Sequence, residues 1–265
     1  MQHGLHVRAV HGNGASRDPR LIEGILSRVS LFRGVGQRAL ADLAARSKAL
    51  QCRRGATICS VNQCPPGLYA IAYGQVKLAL RGGDGEERVL RIAGPGADFG
   101  LPVAILGRPL PYEVAALEDV LLVMVPTSAI FSLVENDPRF MRAVIGALAE
   151  SNLDLLAEVE SGSLRRGVQR LAFYLESLAE KDGAEGTFTV RLPATKTVVA
   201  ARLGVKKETL SRMLRELARK GLIAVDQRKI AILDKLALAA VAREQASVPP
   251  GAAVVRTLGA APSPT

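Results

Sequence analysis

Three side chains in one short segment have the types and the spacing needed to read base pairs. Glu208, Ser211 and Arg212 lie three and four positions apart, so they share one face if the segment is helical. A glutamate can accept a hydrogen bond from cytosine N4, and an arginine can donate two to guanine O6 and N7. The alternative for Glu208 and Arg212 is an exposed ion pair, which contributes only about 0.3–0.5 kcal/mol. We expect contact with bases.

The segment that carries these residues, 195–220, is predicted to be two helices joined by a turn at Gly204, and Gly221 ends the second helix. Residues 196–229 hold ten Lys or Arg and three acidic residues, which is +7 of the +10 charge of the chain. This pattern favours a helix-turn-helix whose second helix, 206–220, enters the major groove of double-stranded DNA. The expected phosphate contacts are Thr195, Lys196, Lys206, Lys207 and Arg215.

The elements before this segment change character twice. Between residues 52 and 126, short apolar runs separated by glycines predict an antiparallel sandwich or barrel, with 83–85 as a hairpin turn. After Asp137 and Pro138, an N-cap followed by proline at the first helical position, a helix is expected. Gly162 is expected to interrupt it, and 164–179 to form another helix before a loop at 181–186. Apolar runs on both sides of 226–229 predict a wing.

The long predicted helix has a heptad-like apolar seam. Its positions, spaced alternately by four and three, are Met141, Ile145, Leu148, Asn152, Leu155 and Val159. A single asparagine in such a seam can pair with its symmetry mate and fix a parallel, in-register dimer. The alternative is an ordinary amphipathic helix packed on the sheet domain. The spacing favours a homodimer through this seam.

A sheet domain, a long helix and a winged helix-turn-helix, in this order, resemble the Crp/Fnr family of bacterial transcription regulators. The resemblance is carried by VVAARLGVKKETLSRMLRELARKGLI and by RRGATI followed by GLYAIAYGQVKL. The implied fold class is α+β, with an N-terminal cyclic-nucleotide-binding-like β-roll, a long dimerisation helix and a C-terminal winged helix-turn-helix. The corresponding division is a flexible tail at 1–19, a sensor at 20–135, a dimerisation helix at 136–162, a DNA-binding domain at 163–242 and a disordered tail at 243–265.

The recognition helix is similar to the Fnr branch of this family, whose Glu-x-x-Ser-Arg pattern matches Glu208, Ser211 and Arg212. The Crp branch has Gly in place of Ser211 and Arg in place of Lys207. The resemblance implies half-sites like TTGAT in an inverted repeat, with Arg212 on the guanine, Glu208 on a cytosine and Ser211 on an adjacent base. It also implies RNA polymerase as a partner.

The sensor departs from the relatives that bind cyclic nucleotides. In those relatives a Gly-Glu pair holds the ribose, and an Arg with a hydroxyl residue neutralises the cyclic phosphate. In this chain Leu101 stands in place of the Glu, and Leu110 and Pro111 in place of the Arg and hydroxyl residue. Arg108 is two residues out of register. A buried phosphate without a charged partner is unfavourable, so we expect no binding of cyclic AMP.

Cys52, Cys59 and Cys64 are candidates for a redox or ligand site, because all three lie within thirteen residues. They are too few for a four-cysteine iron–sulfur cluster in one chain. Thiol oxidation is the leading functional possibility, and the alternative is that they act as small apolar residues. The histidines, His3, His6 and His11, fall in the predicted N-terminal tail and are expected to be solvated. No cofactor or metal can be assigned from the sequence.

Two other classes of function remain as alternatives. A ligand-receptor module like the regulatory subunits of kinases or channels would account for the β-roll but not for the basic helix-turn-helix. An enzyme is disfavoured, because there is no Ser/His/Asp set and no Walker-type glycine loop. The sequence begins without an apolar signal segment, and the longest apolar run, 120–125, is too short to span a bilayer. We therefore expect a cytoplasmic protein with no membrane partner.

Overall fold

The computed structural model describes residues 15–83, 86–164, 167–182 and 187–243. These residues form a β-roll with flanking helices, a long helix and a C-terminal domain of helices and a small sheet. The α+β fold class predicted from the sequence is confirmed. The predicted tails lie largely outside the described residues, as do the three histidines and most of the expected turn at 83–85.

A short strand and the start of a helix lie within the segment predicted to be a flexible tail. In place of the end of the tail predicted at 1–19, β1 (Ala15–Ser16) pairs with the strand at 48–52, and α1 spans Pro19–Leu26. The Asp18 carboxylate caps α1 by accepting a 3.0 Å hydrogen bond from the backbone N–H of Arg20. Asp18 followed by Pro19, an N-cap residue before a proline, is the local sequence signal for this helix start. The next helix, α2 (Gln37–Arg46), packs against α1.

The β-roll consists of two antiparallel sheets that enclose an apolar interior. Its strands are β2 (Lys48–Cys52), β3 (Thr57–Cys59), β4 (Gly67–Tyr73), β5 (Val76–Arg81), β6 (Glu87–Ala93), β7 (Asp98–Phe99), β8 (Glu113–Ala116) and β9 (Val120–Pro126), with α3 (Leu101–Leu106) after β7. One sheet has the order β1-β2-β9-β4-β7, and the other has the order β3-β8-β5-β6. Gly67 is required for this packing, because a Cβ there would overlap the Val125 carbonyl.

The long helix α5 (Pro138–Leu164) follows α4 (Thr127–Asn136) and has 27 residues. The Asp137 side chain caps α5, accepting hydrogen bonds from the backbone N–H of Arg139 at 2.9 Å and of Phe140 at 3.3 Å. The N-cap predicted at Asp137 is confirmed. The predicted interruption at Gly162 is wrong, because the helix continues to Leu164. A glycine within a helix costs only about 0.5–1 kcal/mol, which the remaining helix can offset.

The C-terminal domain surrounds its own apolar core. Its elements are α6 (Gly167–Ser177), β10 (Glu180–Asp182), β11 (Thr187–Arg191), α7 (Lys196–Leu203), α8 (Lys207–Arg219), β12 (Ile223–Asp226), β13 (Lys229–Ile232) and α9 (Lys235–Arg243). The sheet order is β10-β11-β13-β12, so β12 and β13 form the predicted wing. The loop expected at 181–186 is partly wrong, because 180–182 pair with β11. The helix α9 was not predicted; it packs on α6.

Candidate nucleic-acid interface

Helices α7 and α8 are joined by a tight turn that requires a residue with positive φ at position 204. Gly204 ends α7 with a φ of 65°, in the left-handed region that glycine adopts without strain. The Val205 N–H then donates a 3.0 Å hydrogen bond to the Ala200 carbonyl, which closes the turn. Lys206 is the N-cap of α8, so the second helix begins at Lys207, three residues after the glycine. The predicted helix-turn-helix is confirmed as a structure.

Helix α8 is divided into a buried face and an exposed face. Its buried apolar residues, Leu210, Met213, Leu214 and Leu217, belong to the core of the C-terminal domain. Glu208 and Arg212 are exposed, and Ser211 is half-buried beside them. The buried face fixes the rotation of the helix about its axis. The same rotation turns the three candidate base-reading residues outward together.

The ionic contacts on α8 leave the candidate base-reading side chains unpaired. Within the described part of the chain, Glu208 and Arg212 form no ion pair with each other or with another residue, so the ion-pair alternative is not realised. An ion pair at the C-terminal end of this helix joins the C-cap residue Lys220 to Glu216, 3.0 Å apart. Arg215 donates from Nε to the Ser211 carbonyl at 3.2 Å.

The five candidate phosphate-contacting residues lie at the starts of the two helices and along α8. Thr195 is the N-cap of α7, and its hydroxyl makes no capping hydrogen bond, so the hydroxyl is available to another acceptor or donor. Lys196 is half-buried at the first position of α7. Lys206, Lys207 and Arg215 are exposed. Backbone N–H groups at a helix start also favour anions, which adds to the positive charge there.

The wing contains a residue whose role the sequence did not reveal. Arg228 donates to the Leu192 carbonyl from Nε at 3.2 Å and from Nη2 at 2.9 Å. The Leu192 N–H in turn donates to the Arg228 carbonyl at 2.8 Å. Arg228 therefore ties the wing turn to the segment that leads into α7. The sequence shows Arg228 only as one of the positive charges of this segment, so this contact was not predicted.

The six seam residues on α5 are only partly used within the chain. Leu148 packs partly against the core of the β-roll domain, whereas Ile145, Leu155 and Val159 remain 60%, 58% and 64% exposed. Met141 is also exposed, and so is Asn152. From residue 149 to 157 every side chain of the helix is exposed. The second half of α5 thus presents large apolar side chains that no other described residue covers.

In the segment that the resemblance aligns with the cyclic-nucleotide cassette, Leu101 and Leu110 are buried, whereas Pro111 is exposed. Leu101 begins α3 and is 3% exposed, and Leu110 is 1% exposed. The rings of Tyr69 and Phe99 stack with their centroids 5.0 Å apart. Arg108 is exposed. Leu101 and Leu110 each belong to an apolar cluster of the β-roll domain.

A group of ionisable side chains lies near this region. Burial raises the pKa of Asp98, and the nearby Arg91 opposes that increase. Burial also raises the pKa of Tyr112, with a smaller contribution from Cys59. In both cases the raised pKa favours the neutral form, which is the protonated carboxyl of Asp98 and the protonated phenol of Tyr112.

The three cysteines are separated by the fold into two environments. Cys52 and Cys59 are buried in the interior of the roll, and Cys64 is exposed. Burial raises the pKa of Cys59 to about 12, although a hydrogen bond from Tyr69 acts in the opposite direction. Burial also raises the pKa of Cys52. Both shifts favour the protonated thiols at neutral pH, which supports the interpretation of Cys52 and Cys59 as small apolar residues.

Across the residues that the structure describes, no group of three or more His, Cys, Asp or Glu side chains could hold a metal ion. No helix among them is both long enough and apolar enough to cross a bilayer. The histidines of the N-terminal segment fall outside that range, so their prediction stays as it was.

Comparisons with known proteins divide the chain in the same way. A model of the Crp-like helix-turn-helix domain matches residues 169–241, and a model of the cyclic nucleotide-binding domain matches residues 49–137. The transcriptional regulator SdrP of Thermus thermophilus is 30% identical over 63% of this chain and 79% of that protein. The CRP-like cAMP-activated global transcriptional regulator of Mycobacterium tuberculosis is 28% identical over 83% of this chain and 99% of its own length.

Solved structures show the same fold. FixK2 from Bradyrhizobium japonicum has a TM-score of 0.65 at 19% sequence identity, covering 74% of this chain and 96% of that one. TTHA1359, a CRP/FNR-family transcriptional regulator from Thermus thermophilus, has a TM-score of 0.57 at 25% identity, covering 75% of this chain and all of that one. The β-roll and the helix-turn-helix therefore occur together in similar proteins.

Proposed function

Because the chain belongs to the Crp/Fnr family of DNA-binding transcription regulators, we propose that it acts as a homodimer on an inverted repeat of TTGAT-like half-sites. The observation that carries this proposal is the exposed face of α8, with Glu208, Ser211 and Arg212 outward and the opposite face held in the core. The Glu-x-x-Ser-Arg pattern on that face is the reason for choosing the Fnr branch. RNA polymerase is the proposed second partner, and the cytoplasm the proposed location.

The three outward residues have distinct roles in this proposal. Arg212 donates two hydrogen bonds to the guanine of the half-site, and Glu208 accepts one from a cytosine. Ser211 contacts an adjacent base. Thr195, Lys196, Lys206, Lys207 and Arg215 contact phosphates, which positions the helix without selecting a sequence. The unpaired state of Glu208 and Arg212 supports this division, since neither must break an ion pair to meet a base.

The homodimer forms through α5. The exposed Ile145, Leu155 and Val159 are the principal apolar contacts, with Met141 and Leu148 at the sensor end. Asn152 pairs with its counterpart and selects the parallel register. A two-fold axis along this seam places two copies of α8 to read two half-sites about one turn of DNA apart.

The sensor does not use cyclic AMP in this proposal. A cyclic phosphate carries a negative charge and needs a positive partner in a buried site. Leu101 and Leu110 occupy the positions that would supply polar groups, and both are packed into the protein. The Mycobacterium tuberculosis relative is described as cAMP-activated, and the missing polar groups are our reason for not transferring that property.

The test is a mobility-shift titration of the purified chain on a TTGAT-N4-ATCAA duplex, repeated with the guanine positions replaced. Arg212→Ala should lose about 1–3 kcal/mol on the cognate duplex and little on the replaced one. Arg219→Ala removes the same charge from an exposed position at the end of α8 and is the matched control. Lys196→Ala should weaken binding equally on both duplexes. If Arg212→Ala also weakens both equally, the base-reading role is refuted.

A further inference from the structure

The sensor touches the DNA-binding domain at the turn of the helix-turn-helix. Helix α7 packs against β6, which is the last strand of its sheet. At this contact the Arg88 guanidinium lies over Gly204, in the space that a Cβ at Gly204 would take, with its Cζ 3.0 Å from that position. The two residues are far apart in sequence and belong to different domains. This contact is independent of the base-reading face.

The position of Arg88 has a simple electrostatic explanation. Gly204 is the C-cap of α7, where the last carbonyl groups carry the negative end of the helix dipole. A guanidinium placed there is attracted by those carbonyls. Within the described residues Arg88 forms no ion pair that would hold it elsewhere. It is also exposed to solvent, which weakens its attraction to the helix end.

The turn that Arg88 covers lies next to groups that must approach DNA. In a helix-turn-helix the first helix crosses the DNA backbone while the N-terminal part of the second helix enters the groove. Gly204 is two residues before Lys206 and three before Lys207, both proposed phosphate contacts. A sensor strand held at this turn occupies space beside the backbone and fixes α7 to the sensor.

We infer that the contact of Arg88 with the Gly204 turn is an inhibitory restraint, through which the sensor lowers the affinity of the helix-turn-helix for DNA. This inference rests on the proposed function, because it concerns regulation of the same interface. Any change in the sensor that moves β6 away from α7 then releases the domain. The loss of one exposed guanidinium contact to a helix end corresponds to about a twofold to fivefold change in affinity.

The test compares Arg88→Ala with Arg38→Ala in the full chain. Arg38 is an exposed arginine on α2, so its replacement removes the same charge away from the interface. Binding to the inverted-repeat duplex is measured by fluorescence anisotropy at several salt concentrations. We expect Arg88→Ala to bind about twofold to fivefold more tightly with an unchanged salt dependence. Arg38→Ala should bind like the unmodified protein.

Two results would overturn the restraint. Weaker binding by Arg88→Ala, with the slope of log affinity against log salt reduced by about 0.9 per lost contact, would make Arg88 a phosphate contact. Unchanged affinity would show that the contact has no effect on DNA binding.

Hydrogen exchange of residues 196–206 in the DNA-free protein separates this inference from the proposed function. Exchange there should be faster in Arg88→Ala than in Arg38→Ala. If neither the unmodified protein nor Arg88→Ala binds DNA but exchange is faster, the interdomain contact is supported while the DNA-binding proposal fails. If exchange is unchanged, the restraint is refuted whatever the DNA result.

Discussion

The exposed apolar side chains of α5 make the dimer the part of the proposal that is easiest to quantify. Leu155 is 58% exposed, and burying a whole leucine side chain contributes about 1.5–3 kcal/mol. Covering the exposed part in each of two protomers therefore contributes roughly 2–4 kcal/mol to the dimer. Leu155→Asp removes this contribution and places a charge in the seam. The dimer dissociation constant should rise by roughly 30-fold to 1000-fold.

The assay is sedimentation equilibrium over a range of protein concentrations. Leu153→Asp is the matched control, because Leu153 is 65% exposed on the same helix but lies about 200° around the axis from Leu155. It should leave the dimer nearly intact. Equal weakening by the two variants, or no change with Leu155→Asp, would refute the assignment of the seam. Circular dichroism of both variants confirms that the fold is retained.

Three further perturbations test other parts of the account. Asn152→Ile should tighten the dimer but relax its parallel register. Disulfide trapping between the two α5 helices would detect the change of register. An unchanged association constant would contradict the pairing of Asn152 with its counterpart. Gly204→Ala should lower the free energy of unfolding by about 1–2 kcal/mol, because φ at that position is 65°. Gly24→Ala should raise it by about 0.5–1 kcal/mol, because Gly24 lies within α1 and a Cβ there meets no atom within 4 Å. Thermal unfolding of the two variants would compare these effects. At pH 8 a maleimide should label Cys64 quickly and the two buried cysteines slowly. The pKa of Cys59 is raised to about 12, so little of it is present as the reactive thiolate. Rapid labelling of Cys59 would contradict its burial.

The helix-turn-helix and the wing could be predicted because their signals are local. Gly204 and Gly221 mark two helix ends with positive φ, and the apolar residues of α8 repeat with the helical period. Asp137 with Pro138 similarly marked the start of α5. In each case the residues that specify the element lie within a few positions of it, so the chain order alone carries the information.

The missed features depend on contacts between distant parts of the chain. Strand β1 exists because residues 15–16 pair with 49–50, and α9 packs on α6, some sixty positions away. Arg228 is positioned by the Leu192 carbonyl, and Arg88 by the end of α7. Periodicity and composition cannot reveal such partners. The exact end of α5 was also missed, because helix packing and length can outweigh the weak preference of one glycine.

The central claim, that this chain reads a specific inverted repeat, is tested most directly by one competition measurement. The purified protein is bound to a labelled TTGAT-N4-ATCAA duplex at near-physiological salt and displaced with the same duplex or with a scrambled one. The account predicts that the scrambled duplex competes at least about 1000-fold less well, as expected for specific over non-specific binding. Equal competition by the two duplexes would contradict the account, because it would leave only a sequence-independent attraction to phosphates.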